Sequence, residues 1–103
     1  MTTRITEFEG TATMQAILKL EGTLLLIDAQ ILEEACDRLM RKGRSVTINL
    51  SGIGFVTDAA AEILCRLRRT KGVVLEGMHL FVRQVIDMNE AALNNGNKKD
   101  GQS

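Results

Sequence analysis

Residues 45–67 read SVTINLSGIGFVTDAAAEILCRL, and the change of period inside this stretch decides the fold. Val46, Ile48 and Leu50 alternate with Ser45, Thr47 and Asn49, the period of a strand covered mainly on one side. Ser51-Gly52 reads as a turn, and Ile53-Gly54-Phe55-Val56 carries the chain onward. From Thr57-Asp58 the apolar residues recur at helical spacing through Ala60, Ile63, Leu64 and Leu67, until Gly72 ends the pattern. A strand feeding directly into an amphipathic helix is the building unit of an α/β layer.

The flanking segments repeat the unit. Upstream, Met14, Ala16, Leu18 and Leu20 alternate with Gln15, Ile17 and Lys19, which predicts a half-exposed strand over 14–20. Glu21-Gly22 breaks that pattern, and the apolar run 23–27 reads equally as a second strand or as the approach to a helix. Asp28 is an N-cap candidate for a helix whose inner face is Ile31, Leu32, Ala35, Cys36, Leu39 and Met40, with Gly43 at its end. On its outer face Glu34 with Arg38 and Asp37 with Arg41 form pairs four apart, worth a few tenths of a kcal/mol each. Downstream, 73–75 reads as a short buried strand closed by Gly77, and a last helix presents Phe81, Val85, Met88 and Ala92 as one stripe. The expectation is α/β, with four or five strands in one sheet covered by helices over 28–42, 58–71 and 79–92. A single domain over 1–93 accommodates all of it. The polar, glycine-containing segment 94–103 is expected to be a disordered tail.

Composition restricts what such a domain does. With 103 residues the chain supports one modest core. Thirteen Lys and Arg balance thirteen Asp and Glu, so no overall field draws the chain to nucleic acid or an anionic membrane. Tyr and Trp are absent and only three Phe are present, which removes the stacking platforms that hold single-stranded bases. No apolar run approaches the roughly 20 residues of a membrane span, and MTTRITEFEG lacks the apolar core of a signal peptide, so a cytoplasmic location is expected. Cys36 and Cys65 stand too far apart for a CxxC pair and fall in helical patterns, which predicts buried, reduced thiols. With His79 as the sole histidine, neither a metal site nor a cofactor is expected. No nucleophile-base pair and no phosphate-binding glycine loop is apparent, so no catalytic residue and no enzymatic activity is expected.

Three segments taken in order, ILKLEGTL at 17–24, SVTINLSGIGFVTDAAAEILCRL at 45–67 and KGVVLEGMHLFVRQVI at 71–86, resemble the STAS family, named for sulfate transporters and anti-sigma factor antagonists. Members open with an LxGxL strand, continue with a hydrophobic-Asp-Leu-Ser-Gly-Val-x-Phe strand, and start the next helix with Asp-Ser-Ser-Gly or a relative. The resemblance spans some seventy residues and implies a mixed sheet. Aligned without a gap, that last motif falls on Thr57, Asp58, Ala59 and Ala60, so Asp58 stands where family members carry the phosphorylated serine. The family's strand-ending Asp is Asn49 here. A one-residue shift would carry Glu62 and Arg68 into apolar positions, and burying unpaired charge costs several kcal/mol, so the ungapped register is preferred.

The resemblance implies a protein-binding regulatory module that docks a partner through Ser51, Gly52, Phe55, Thr57, Asp58, Ala59 and Glu62. The partner would be a serine-kinase-like anti-sigma protein. An accessory subunit docking on the ATPase of an ABC-type transport complex is the alternative, with small-ligand or nucleotide sensing as a third reading and a homodimer compatible with each. Asp58 has two explanations: it caps the helix, or its carboxylate imitates a phosphoserine. Arg66, Arg68, Arg69 and Lys71 form a basic cluster at the end of the same helix. It reads either as a solvated end complementing the helix dipole or as a site for an acidic partner or phosphate.

Overall fold

The computed structural model of the chain describes residues 3–10 and 14–102, with side chains as far as Ala92. Strand β1 (Thr3–Glu9) pairs antiparallel with β2 (Gln15–Leu24), helix α1 (Leu26–Arg41) crosses over to β3 (Ser45–Val56), α2 (Asp58–Lys71) crosses to β4 (Val74–Glu76), and α3 (Leu80–Gln102) follows. The four strands lie in the order β1-β2-β3-β4, with β2-β3 and β3-β4 parallel. This is the mixed α/β sheet expected. Because parallel crossovers are right-handed, two successive ones progressing in the same direction place α1 and α2 on the same face of the sheet. That face holds one core, in which Leu18, Leu20, Val46, Ile48 and Leu50 of the sheet meet Leu32, Cys36, Leu39, Leu64, Leu67 and Ile86 of the helices.

β3 carries the geometry that places the site. Its 12 residues pair along the 10 of β2. The register slips between Lys19 and Glu21 and again between Gly22 and Thr23, so Leu50-Ser51-Gly52 and Ile53-Gly54-Phe55 each hold a residue more than the strand opposite. These are β-bulges, which keep pairing while re-aiming side chains. Ser51-Gly52 is therefore not a turn, and Glu21-Gly22 does not end β2. Glycine is required at 52, since a Cβ there would lie 2.7 Å from the Leu20 carbonyl oxygen. Past the bulges, Ile53 and Val56 return to the core while Phe55 is left 46% exposed at the strand's end.

Other departures have similar local causes. β1 was unpredicted, because its polar sequence TRITEFE is a sheet edge with only Thr3 buried. The run 23–27 divides: Thr23 and Leu24 complete β2, and α1 begins at Leu26. Asp28 is accordingly at N3 and not the N-cap; its carboxylate accepts from the Leu25 N–H at 3.1 Å, tying the helix start from inside the first turn. Ile31 is 43% exposed, because the buried row runs through Ala29, Leu32, Cys36 and Leu39 at helical spacing and passes beside it. Val73, just ahead of β4, is buried, but Val74 points away from the helices and is exposed. In α3 the buried row is Val82 and Ile86, one position out from the expected stripe, leaving Phe81, Met88 and Ala92 exposed. α3 runs to Gln102, with no proline to interrupt it. Ser103 and the side chains beyond 92 lie outside the described residues.

Candidate functional site

β2 and β3 end side by side, with Leu24 opposite Val56 and the Thr57 N–H donating to the Leu24 carbonyl at 3.1 Å. The first turns of α1 and α2 therefore open at the same edge of the sheet, the carboxyl edge of its parallel strands, where ligands of α/β folds bind. Thr57 is the N-cap of α2: its Oγ1 accepts from the Ala60 N–H at 3.2 Å. Asp58 is therefore not the cap. It occupies the first helical position, exposed, and its Oδ1 accepts from the Asn89 side-chain amide of α3 at 3.2 Å. Asn89 also donates to the Val85 carbonyl at 2.9 Å, which fixes the amide in place. The partner of Asp58 is thus neutral, and its charge stands at the positive end of the helix with no cation paired to it among the described residues.

Around that carboxylate the surface is apolar. Phe55 stacks on Phe81 with ring centroids 5.7 Å apart and planes 20° apart, and both rings are about half exposed. Phe55, Val56, Thr57, Asp58, Phe81 and Val85 line one shallow depression of about 350 Å³. At the same edge, α1 contributes Leu26 and Ile27, 44% and 64% exposed. Large apolar side chains left out of the core in one neighbourhood mark an interaction surface.

Of the residues named from sequence, Phe55, Thr57 and Asp58 meet in this depression. Ala59 is exposed on the first turn of α2. Glu62 lies further along α2, lining a separate depression with Arg66, Arg69 and Thr70. Ser51 and Gly52 belong to the first bulge instead: the Ser51 N–H and Oγ–H both donate to Asn49 Oδ1, at 2.9 and 2.7 Å, and the Ser51 carbonyl lies 2.6 Å from His79 Nε2. The sequence reading missed Phe81, Val85 and Asn89 because α3 was expected to turn its 81/85/88 row inward. Leu80, Phe81 and Val82 in succession are the signal that was available, since a helix buries only some of three consecutive apolar residues.

The basic cluster has a different use from either expected. Arg66 holds Glu33 of α1 with a forked contact at 2.9 and 3.0 Å, Lys71 pairs with Asp37 of α1, and Arg68 and Arg69 both reach Glu90 of α3, at 3.2 and 3.5 Å. These cations join α2 to the helices on either side. The expected pairs within α1 do not form, because Asp37 is taken by Lys71 and Arg38 turns to Glu7 of β1 at 3.3 Å. Burial raises the Glu90 carboxyl, but the Cys65 thiol, the Arg68 hydrogen bond and the charges of Arg68 and Arg69 outweigh it, so the group is held below its ordinary range. Cys36 and Cys65 are free and buried, as expected. Burial first, then neighbouring carboxylates, push their thiols up to about 11 and about 12. Among the described residues no group of His, Cys, Asp and Glu is arranged to hold a metal ion. No described helix is long and apolar enough to cross a membrane.

No known family profile and no curated protein matches this sequence. Among solved structures the chain is similar to the crystal structure of the antisigma-factor antagonist STAS domain from Rhodobacter sphaeroides, with a TM-score of 0.58 and 21% identity, over 87% of this chain and 91% of that one. At that identity the likeness is one of fold. The chain has the fold of a STAS domain, with the sheet and three helices in the arrangement described above.

Proposed function

We propose that the chain is a non-catalytic protein-interaction module, acting in the manner of an anti-sigma factor antagonist in the cytoplasm, and that it docks a protein partner on the carboxyl edge of its parallel strands. The observation that carries this reading is the exposed Phe55–Phe81 stack beside the Asp58 carboxylate, which has no paired cation among the described residues. Half-exposed aromatic rings around one charge are the composition of an interface centre: the rings give large contact area, and the charge selects a complementary partner. Where the resemblance puts a phosphorylated serine this chain has a carboxylate, so the partner meets a permanent negative charge and the interaction has no phosphorylation switch at position 58. Since Thr57 performs the capping, Asp58 is free to act on a partner. A cationic or polar group flanked by apolar side chains is the complementary surface, and an anti-sigma protein of the serine-kinase kind is the expected owner of it.

Site-specific photo-crosslinking in cells tests this. A crosslinker at position 81 or 88 should trap a discrete protein partner, whereas one at position 42, at the opposite end of α1, should not. Equal trapping at all three positions, or none at 81 and 88, would remove the docking edge.

A further inference from the structure

The side of the sheet away from the helices is also uncovered among the described residues, and its side chains fall in ordered rows. Pairing register places Phe8, Ile17, Thr47 and Val74 in one row across all four strands, and Thr6, Lys19, Asn49 and Glu76 in the next. The first row is apolar at its ends, with Phe8 49% and Val74 53% exposed. At its centre Thr47 is hidden, with the Gln15 amide reaching its Oγ1 at 3.4 Å. The second row carries two opposite charges, Lys19 on β2 and Glu76 on β4. Among the described residues neither takes part in an ion pair.

The geometry points to a second copy of this chain as the occupant of this face. Lys19 and Glu76 stand at the same level on the strands flanking β3, each about 4.8 Å from it. A twofold axis running near the direction of β3, between two facing sheets, lays β2 of one copy over β4 of the other. Lys19 then meets Glu76 of the second copy twice, Ile17 meets Val74 twice, and Thr47 and Asn49 meet themselves. This is the self-complementarity that an isologous contact requires, and aligned face-to-face packing is an ordinary arrangement for two sheets. A foreign surface would have to supply the same alternation of charge and apolar rows; the chain already contains it. The three strands that overlap, β2, β3 and β4, give a width of about 14 Å at this spacing, and with some 20 Å along the strands a footprint of about 300 Å². That is small beside the roughly 800 Å² per partner of a standard interface, so a reversible dimer with Kd on the order of 100 µM is expected. This inference is independent of the docking edge, which lies at the strand ends and remains open in such a dimer.

Sedimentation equilibrium on the full chain, from about 10 µM to about 1 mM, reads the association directly. Wild-type protein should shift from monomer towards dimer over that range. Lys19→Glu and Glu76→Lys should each weaken dimerisation at least tenfold by setting like charges against each other, and the double variant K19E/E76K should restore it to within about threefold, since the pairing is only reversed. Both side chains are at the surface, and thermal unfolding of each variant confirms the fold. A wild type that stays monomeric to about 1 mM overturns the proposal. So does a dimer that the double variant fails to restore, which would put the contact elsewhere or the face against a different occupant.

Discussion

The two ends of α2 carry charge in opposite ways. At its C-terminal end four cations stand in six residues, and every one is matched by a carboxylate of a neighbouring helix. At its N-terminal end a single carboxylate, Asp58, is matched, among the described residues, only by a neutral amide and lies in a depression it shares with the half-exposed rings of Phe55 and Phe81. The denser cluster is thus the structural one. A run of like charges in the sequence gives no information about whether neighbouring elements already neutralise it; a lone charge on an apolar surface keeps its field for whatever binds there.

The sharpest way to break this contrast is at the aromatic stack. Phe81→Ala should lower affinity for the captured partner by about thirtyfold, a loss of about 2 kcal/mol typical of a central aromatic anchor. Arg69→Ala, at the other end of α2, should change it less than about twofold, its effect being the partial loss of one helix-helix contact. Calorimetric titration of both variants decides it, and a reversal of their order would mean that the basic end is the docking surface after all.

A second test acts on the structural end alone. Glu90 collects Arg68, Arg69 and the Cys65 thiol, so Glu90→Gln should destabilise the fold by about 1 kcal/mol at neutral pH and lower the Cys65 pKa by removing the charge that helps raise it. The sign with pH follows. A carboxyl held below its ordinary value stabilises the fold above the carboxylate range and loses that contribution as pH falls through the folded-state value, so the gap between wild type and variant should close in acid. Denaturation midpoints at neutral and acid pH measure this; a gap that widens in acid would contradict the ion-pair assignment.

Much of this was legible in the sequence, and what was not has a common cause. The run from Val46 to Leu67 yielded the first half of β3, the inward row Ile63, Leu64 and Leu67, and a helix beginning near Asp58, because period and burial are local properties of the chain. The bulges were misread as breaks, since Gly22, Gly52 and Gly54 mark a turn or a bulge equally well until the strand opposite is known. Asp37 was assigned to Arg41 and Arg38 to Glu34 because sequence spacing shows only partners on the same helix, whereas their actual partners, Lys71 and Glu7, are more than thirty residues distant. The candidate site suffered likewise. Of the residues named from sequence, Phe55, Thr57 and Asp58 line the depression while Ser51, Gly52 and Glu62 lie outside it, and the α3 half, Phe81 and Asn89, depends on which of two adjacent helical rows the sheet accepts.

Capping discriminates between Thr57 and Asp58, two adjacent residues of which either type can serve. With the Thr57 hydroxyl holding the Ala60 N–H, Thr57→Ala should cost about 1 kcal/mol of stability, and Thr57→Ser, which keeps the hydroxyl, only a few tenths. Urea unfolding separates them, and equal losses would deny the cap.

The smallest effect on stability is expected at Asp58 itself. Asp58→Asn keeps a carbonyl oxygen to accept from Asn89, leaves the Thr57 cap in place, and removes only a surface charge from the first turn of a helix. Such a charge is worth about 0.3–1 kcal/mol at low ionic strength and less in salt, so the variant should unfold within about 0.5 kcal/mol of wild type at physiological salt. Partner affinity should nevertheless fall about tenfold, because a charge in a largely desolvated interface interacts far more strongly than the same charge in water. Asp58→Ser, which leaves a hydroxyl at the position where the resemblance puts a phosphorylated serine, should bind equally weakly while unmodified. A loss of stability above about 1.5 kcal/mol in Asp58→Asn, with affinity unchanged, would make Asp58 a structural residue of α2 and leave the docking edge to its apolar side chains alone.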